Sequence, residues 1–166
     1  TFLDLGCGNG TLLSALRLDG WTGRLLGVDY SAQSVELARR VAQQEDSGAE
    51  FAQWDLLNDD YSAVLNGEQK GGWDVVTDKG TFDAISLSAQ TSEGHPAEKY
   101  RARITPLLRP GGIFIVTSCN WTEDELRLWF GGEGAGFEEV GRIEYRSFSF
   151  GGHKGQTIST LCFRKT

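Results

Sequence analysis

The chain has 166 residues, 39% of them apolar and 23% charged, with a formal net charge of −7. That size and composition suit a single domain with a sizeable core and exclude a disordered or fibrous chain. The acidic balance disfavours nonspecific binding to nucleic acid or an anionic membrane, although plain solubility also accounts for it.

The opening stretch, Thr1-Phe-Leu-Asp-Leu-Gly-Cys-Gly-Asn-Gly10, organises the rest. A short apolar run holds Asp4, glycines follow at 6, 8 and 10, and a helical pattern begins at Thr11. This predicts a buried strand, a tight glycine turn and a helix, the first unit of a nucleotide-binding α/β fold. Leu12, Leu13, Ala15 and Leu16 are expected to pack back on the sheet. Arg24–Asp29 predicts a second buried strand. Ser31 then caps a helix whose face carries Val35, Ala38, Val41 and Ala42. Glu50–Trp54 is a third strand, 59–65 a short helix, 68–72 a loop, and Trp73–Asp78 a fourth strand. Phe82–Leu87 starts a helix.

After a loop over 93–95, Pro96 suits the first turn of a helix. Tyr100, Ile104, Leu107 and Leu108 form its core face, and Pro106 kinks or ends it. Arg109–Gly112 reads as a sharp turn and Ile113–Cys119 as a fifth strand. Thr122 and Glu125 make a capping box for a helix carrying Leu126, Trp129 and Phe130. Phe137–Phe150 and Gln156–Phe163 read as two long strands of an antiparallel hairpin. The sum is a doubly wound, Rossmann-like sheet of seven strands, mostly parallel, in one domain over residues 1–166.

The glycine spacing DxGxGxG resembles motif I of class I S-adenosylmethionine-dependent methyltransferases, with Thr11 where a dinucleotide fingerprint has its third glycine. Ligands of such sheets bind beyond the carboxyl ends of the strands, where Asp4, Asp29, Asp55 and Asp78 fall. Any one of these acids serves equally as a cap or turn residue; the set at successive strand ends points to a cofactor site. The backbone of Gly6, Gly8 and Gly10 would receive the methionine part, with Asp4 nearby. Asp29 can accept two ribose hydroxyls. Tyr30 and Trp54, with Leu56, would pack on the adenine, and Asp55 would accept from its amine. Asp78 and Lys79 would face the reacting end. Methyl transfer needs mainly positioning and a neutral acceptor amine, which a strand-end carboxylate with aromatic walls can orient and desolvate. Asn120 and Trp121 follow the fifth strand and would border the acceptor, though Trp121 serves equally as packing before the capped helix. Asn/Asp-Pro-Pro-aromatic turns of nucleic-acid and glutamine methyltransferases are absent after the fourth strand. His95 and His153 receive no role.

Cys7, Cys119 and Cys162 lack metal-ligand spacing, which predicts reduced, buried thiols and a cytoplasmic protein. No stretch has the pattern of a signal peptide or the length of an apolar membrane span. The chain lacks methionine and opens inside an expected central strand, which predicts a segment upstream of Thr1.

Asp78-Lys-Gly-Thr-Phe-Asp-Ala-Ile-Ser-Leu87, Thr117-Ser-Cys-Asn-Trp-Thr122 and Phe148-Ser-Phe-Gly-Gly152 together resemble the seven-β-strand protein-lysine methyltransferases that modify translation elongation factor 1-alpha. The resemblance runs from the first strand to the last residue. It implies S-adenosyl-L-methionine as donor, S-adenosyl-L-homocysteine as product, no metal, a lysine of elongation factor 1-alpha as acceptor, and a cytoplasmic location; a monomer is the separate expectation for the assembly. That factor is basic, in keeping with the acidic charge here. The family's motif residues carry over at Asp4, Gly6, Gly8, Gly10, Asp29 and Asp55, and on the acceptor side at Asp78, Lys79, Asn120 and Trp121. The alternatives are a class I methyltransferase for another protein or a small molecule, a nicotinamide-dependent oxidoreductase, and a non-catalytic binding module.

Overall fold

The computed structural model describes residues 1–89, 95–132, 134–146, 148–150, 153–155 and 158–166. Glu93 and Gly94 of the predicted loop, Gly151 and Gly152 of the predicted hairpin turn, and Gln156 lie outside the described residues.

Strands β1 (Phe2–Leu5), β2 (Leu25–Asp29), β3 (Glu50–Gln53), β4 (Trp73–Lys79), β5 (Leu108–Ser118), β6 (Phe137–Ile143) and a later strand, Ser159–Lys165, form one sheet. Between the last two lies a separate short pair, β7 (Phe148–Phe150) and β8 (His153–Gly155), so the later strand is β9. The sheet order is β3-β2-β1-β4-β5-β9-β6. Its first five strands are parallel, and β9 runs antiparallel to both neighbours. Helices α1 (Thr11–Leu18), α2 (Ala32–Gln44), α3 (Thr81–Ser86), α4 (Pro96–Ile104) and α5 (Glu123–Phe130) make the connections.

Both faces are covered. One carries Phe2, Leu13, Val35, Ala38 and Phe51; the other is centred on Phe82, Tyr100, Phe114, Phe130 and Phe163. Burial on both faces explains why β1 and β2 are buried at every position, with no alternation of buried and exposed residues, and why Asp4 and Asp29 are their only charged residues. Ser31 caps α2 from its hydroxyl, and Thr122 and Glu125 form the reciprocal capping box of α5.

Several local expectations change. Leu12 and Ala15 face solvent, because the buried side of α1 is Leu13 and Ser14. The segments around 61–63 and 67–71 are short 3-10 turns. Arg109–Gly112 is an excursion within β5: Leu108 pairs with Trp73, yet Ile113 pairs with Val75. α4 ends at Ile104 and passes into a 3-10 turn containing Pro106. The terminal hairpin exists as β6 against β9, but its first arm ends at Ile143. Cys7 is buried, whereas Cys119 is exposed, so the expectation of buried thiols fails there.

Candidate active site

A cavity of about 460 Å³ opens beyond the carboxyl ends of β1 to β4, within the range of small-molecule sites. Its floor is the glycine turn after β1. Gly6, Gly8 and Gly10 take φ of +68°, +54° and +77°, a region that side chains resist. A Cβ on Gly6 would sit 1.9 Å from Thr81 Oγ1, and one on Gly10 would sit 2.6 Å from the Phe51 ring. Gly6 lines the cavity; Gly8 and Gly10 shape the turn beneath it.

The β2 end supplies Asp29. Its Oδ2 accepts from the Gly8 amide at 3.1 Å and its Oδ1 from the Ser31 amide at 2.9 Å. A carboxylate has about four acceptor positions, so this one is fixed in place with capacity left on both oxygens. Tyr30 stands at the rim, 76% exposed. After β3, Asp55 caps its own turn by accepting from Leu57 N and Asn58 Nδ2 and also lines the cavity, with Leu56 beside it. Trp54 reaches the wall, but its ring is held from behind. Its Nε1 donates to the Asp60 carbonyl, and the Arg103 guanidinium lies 5.8 Å from the ring centre.

Asp4 and Asp78 are not open to the cavity. Asp4 is 4% exposed and accepts from the Thr77 hydroxyl at 2.9 Å. Burial pushes its carboxyl up to about 7, against the opposing pull of Thr77 and Lys79. Asp78, expected at the reacting end, is not among the cavity-lining residues. It is 1% exposed and accepts from the Thr81 and Phe82 amides and from the Tyr100 hydroxyl. It thus caps α3 from below and ties it to α4. Burial again dominates, lifting Asp78 to about 7 and Tyr100 well above its usual value. Lys79, the next residue, is exposed and lines the cavity.

Sequence reasoning missed Thr81 and Asp83. The Thr81 hydroxyl donates to the Leu5 carbonyl at 2.9 Å, joining α3 to β1 across the cavity floor. Asp83 accepts from Ser118 Oγ at 2.5 Å and from the Cys119 amide at 2.9 Å, joining α3 to the end of β5. Ser118 Oγ in turn accepts from the Asn120 and Trp121 amides. The DKGTFD stretch is therefore a brace in which Asp78, Thr81 and Asp83 hold three strand ends. The sequence marked this stretch by its polar run at an expected strand end and by its family resemblance, but neither revealed what Thr81 and Asp83 bind. Asn120 is exposed on this β5 turn. Trp121 packs 5.9 Å from Trp129 and donates from Nε1 to Ser86 Oγ, so it secures α3 against α5. Neither is among the cavity lining residues.

Of the predicted residues, the cavity thus gathers Gly6, Asp29, Tyr30, Trp54, Asp55, Leu56 and Lys79. The glycine turn that side chains would block, and the anchored Asp29 with spare acceptor capacity, fit an adenosyl cofactor. Among the described residues no group of three or more His, Cys, Asp or Glu side chains could hold a metal ion. Among them, too, no helix is long and apolar enough to cross a membrane.

Residues 1–142 match the family model described as a methyltransferase domain. The protein-lysine N-methyltransferase EFM4 of Saccharomyces cerevisiae is 38% identical over 98% of this chain and 69% of its own length. EEF1A lysine methyltransferase 2 of Danio rerio is 38% identical over 99% of this chain and 66% of its own length. The chain therefore spans about two thirds of these relatives. A S-adenosylmethionine-dependent methyltransferase structure from Aquifex aeolicus superimposes with a TM-score of 0.72 at 16% identity, over 99% of this chain and 81% of that one, a likeness of fold. The chain belongs to the methyltransferase-domain family, and within it to the group that includes EFM4 and EEF1A lysine methyltransferase 2.

Proposed function

We propose that this chain is an S-adenosylmethionine-dependent protein-lysine N-methyltransferase and that its acceptor is a lysine of translation elongation factor 1-alpha. The observation that carries the reading is 38% identity, sustained across nearly the whole chain, to relatives named for lysine methylation. The nicotinamide-dependent oxidoreductase alternative falls with the family assignment. Residues 1–166 act as one methyltransferase domain, in a cytoplasmic monomer.

When bound, the cofactor supplies an electrophilic methyl group on a sulfonium. The chain's residues bind and orient. Asp29 offers its remaining acceptor positions to the ribose hydroxyls, and Asp55 offers one to the adenine amine. Tyr30, Trp54 and Leu56 provide apolar cover for the base. The Gly6 to Gly10 backbone receives the amino-acid end. Asp4 and Asp78 act from behind: Asp4 braces β1 through Thr77, and Asp78 fixes the start of α3. Asn120 sits on the turn that Asp83 secures, on the side where an acceptor side chain would enter. Holding donor and acceptor in line supplies much of the acceleration in such displacements.

The test is labelling of a mixed cytosolic extract with the methyl donor and this chain. One labelled band at the mass of the elongation factor supports the reading. Label spread over other proteins, or recovered only in small molecules, overturns the acceptor assignment.

A further inference from the structure

The cavity lining is charged at three places, and the sheet sets their order. Asp55 follows β3, Asp29 ends β2, and Lys79 ends β4, with the glycine turn of β1 between the last two. Neighbouring strands stand about 4.8 Å apart, so the row from β3 to β4 runs roughly 14 Å. Two acids at one end face a single cation at the other. An adenosyl amino acid has the matching order of groups: donors on base and ribose at one end, and a carboxylate at the other.

We infer that Lys79 is the counter-ion of the cofactor's α-carboxylate, which makes it a cofactor-binding residue rather than part of the acceptor side. The inference rests on the methyltransferase reading above. Three features of the structure support it. Lys79 is the only positively charged residue among the described residues that line the cavity. Its ammonium makes no hydrogen bond among the described residues, so it is not held by a structural partner. Its nearest acid on β1, Asp4, is buried and already holds the Thr77 hydroxyl, so it meets Lys79 through charge alone and not as a hydrogen-bond partner.

The backbone around Lys79 is positioned with unusual care for an exposed lysine. Asp78, before it, is locked beneath α3, and Gly80, after it, takes φ +88° with its amide donating to the Thr117 carbonyl. Lys79 also pairs in register with Thr117 of β5. The stem therefore leaves the sheet from a fixed point beside the Gly6 turn. The placement also suits the chemistry. A free cation beside the acceptor would repel a protonated lysine approaching the site, whereas one neutralised by the cofactor carboxylate would not.

The test is calorimetric titration of two ligands into the wild type, Lys79→Gln and Lys79→Arg. The ligands are S-adenosylhomocysteine and its decarboxylated analogue, which keeps the amine and lacks only the carboxylate. The wild type should prefer S-adenosylhomocysteine. Lys79→Gln should weaken that ligand by about tenfold and leave the analogue unchanged, and Lys79→Arg should restore most of the difference. Unchanged affinity for S-adenosylhomocysteine in Lys79→Gln, or an equal loss for both ligands, overturns the assignment. A wild type that binds neither ligand overturns the methyltransferase reading itself, a distinct result.

Discussion

Gly6→Ala tests the architecture of the cavity floor most sharply. At φ +68° an alanine costs about 1–2 kcal/mol for the left-handed backbone alone. Its Cβ would also fall 1.9 Å from Thr81 Oγ1. The hydroxyl must swing away, forfeiting its hydrogen bond to the Leu5 carbonyl, worth about 1 kcal/mol. The single variant should therefore lose about 3 kcal/mol. Thr81→Ala alone should lose about 1 kcal/mol, since it removes the same hydrogen bond without a clash. In the double variant the closest remaining contact is Thr81 Cβ at 3.2 Å, which a small shift relieves. Its loss should be smaller than the two single losses combined, by about 1 kcal/mol. Urea midpoints of the four proteins at constant m-value measure this cycle. Strict additivity, or a neutral Gly6→Ala, would refute the contact between the glycine turn and α3.

Asp29→Ala removes the acceptor proposed for both ribose hydroxyls. Calorimetry should show S-adenosylhomocysteine binding weakened by about a hundredfold or more, and an unchanged Kd would remove Asp29 from the site. Asp4→Asn probes the buried carboxyl. Because the folded pKa is raised, to about 7, the native state holds a proton that the unfolded chain has lost, so stability falls as pH rises from about 4 to 7. The full effect above that window is at most about 4 kcal/mol. The variant should show a shallower decline between pH 5 and pH 8, and identical slopes would contradict the burial argument. Thr122→Ala removes the hydroxyl that accepts from the Glu125 amide and should lower the thermal unfolding midpoint by an amount matching about 1 kcal/mol; no change would mean that the capping box is idle.

Features encoded by adjacent residues were legible in the sequence. The capping box at Thr122 and Glu125 needs a spacing of three, Pro96 marks its own helix start, and the glycine turn needs only its own positions. Features closed by distant partners were not. Asp78 lies at the end of a strand buried on both faces, so no alternation reveals which way it points. Its partner Tyr100 is 22 residues away. Asp83 meets Ser118 across 35 residues, a distance over which no local pattern survives. Arg109–Gly112 has turn composition, yet the chain continues the same strand on either side of it. The end of the first hairpin arm at Ile143 was invisible for a similar reason, since residues beyond it remain rich in strand formers. The place of Asp29 and Asp55 on the cavity wall was readable because a parallel sheet delivers strand ends to one edge whatever the distant contacts are.

The central claim is methyl transfer to a lysine side chain, and fragment mass spectrometry tests it directly. Purified elongation factor 1-alpha is incubated with S-adenosylmethionine and this chain, then digested. The account predicts whole methyl increments on a lysine-bearing fragment, placed on the side-chain nitrogen, and absent when Asp29→Ala replaces the wild type. Methyl groups on a residue other than lysine, or an unmodified factor alongside a chain that binds S-adenosylhomocysteine, would contradict it.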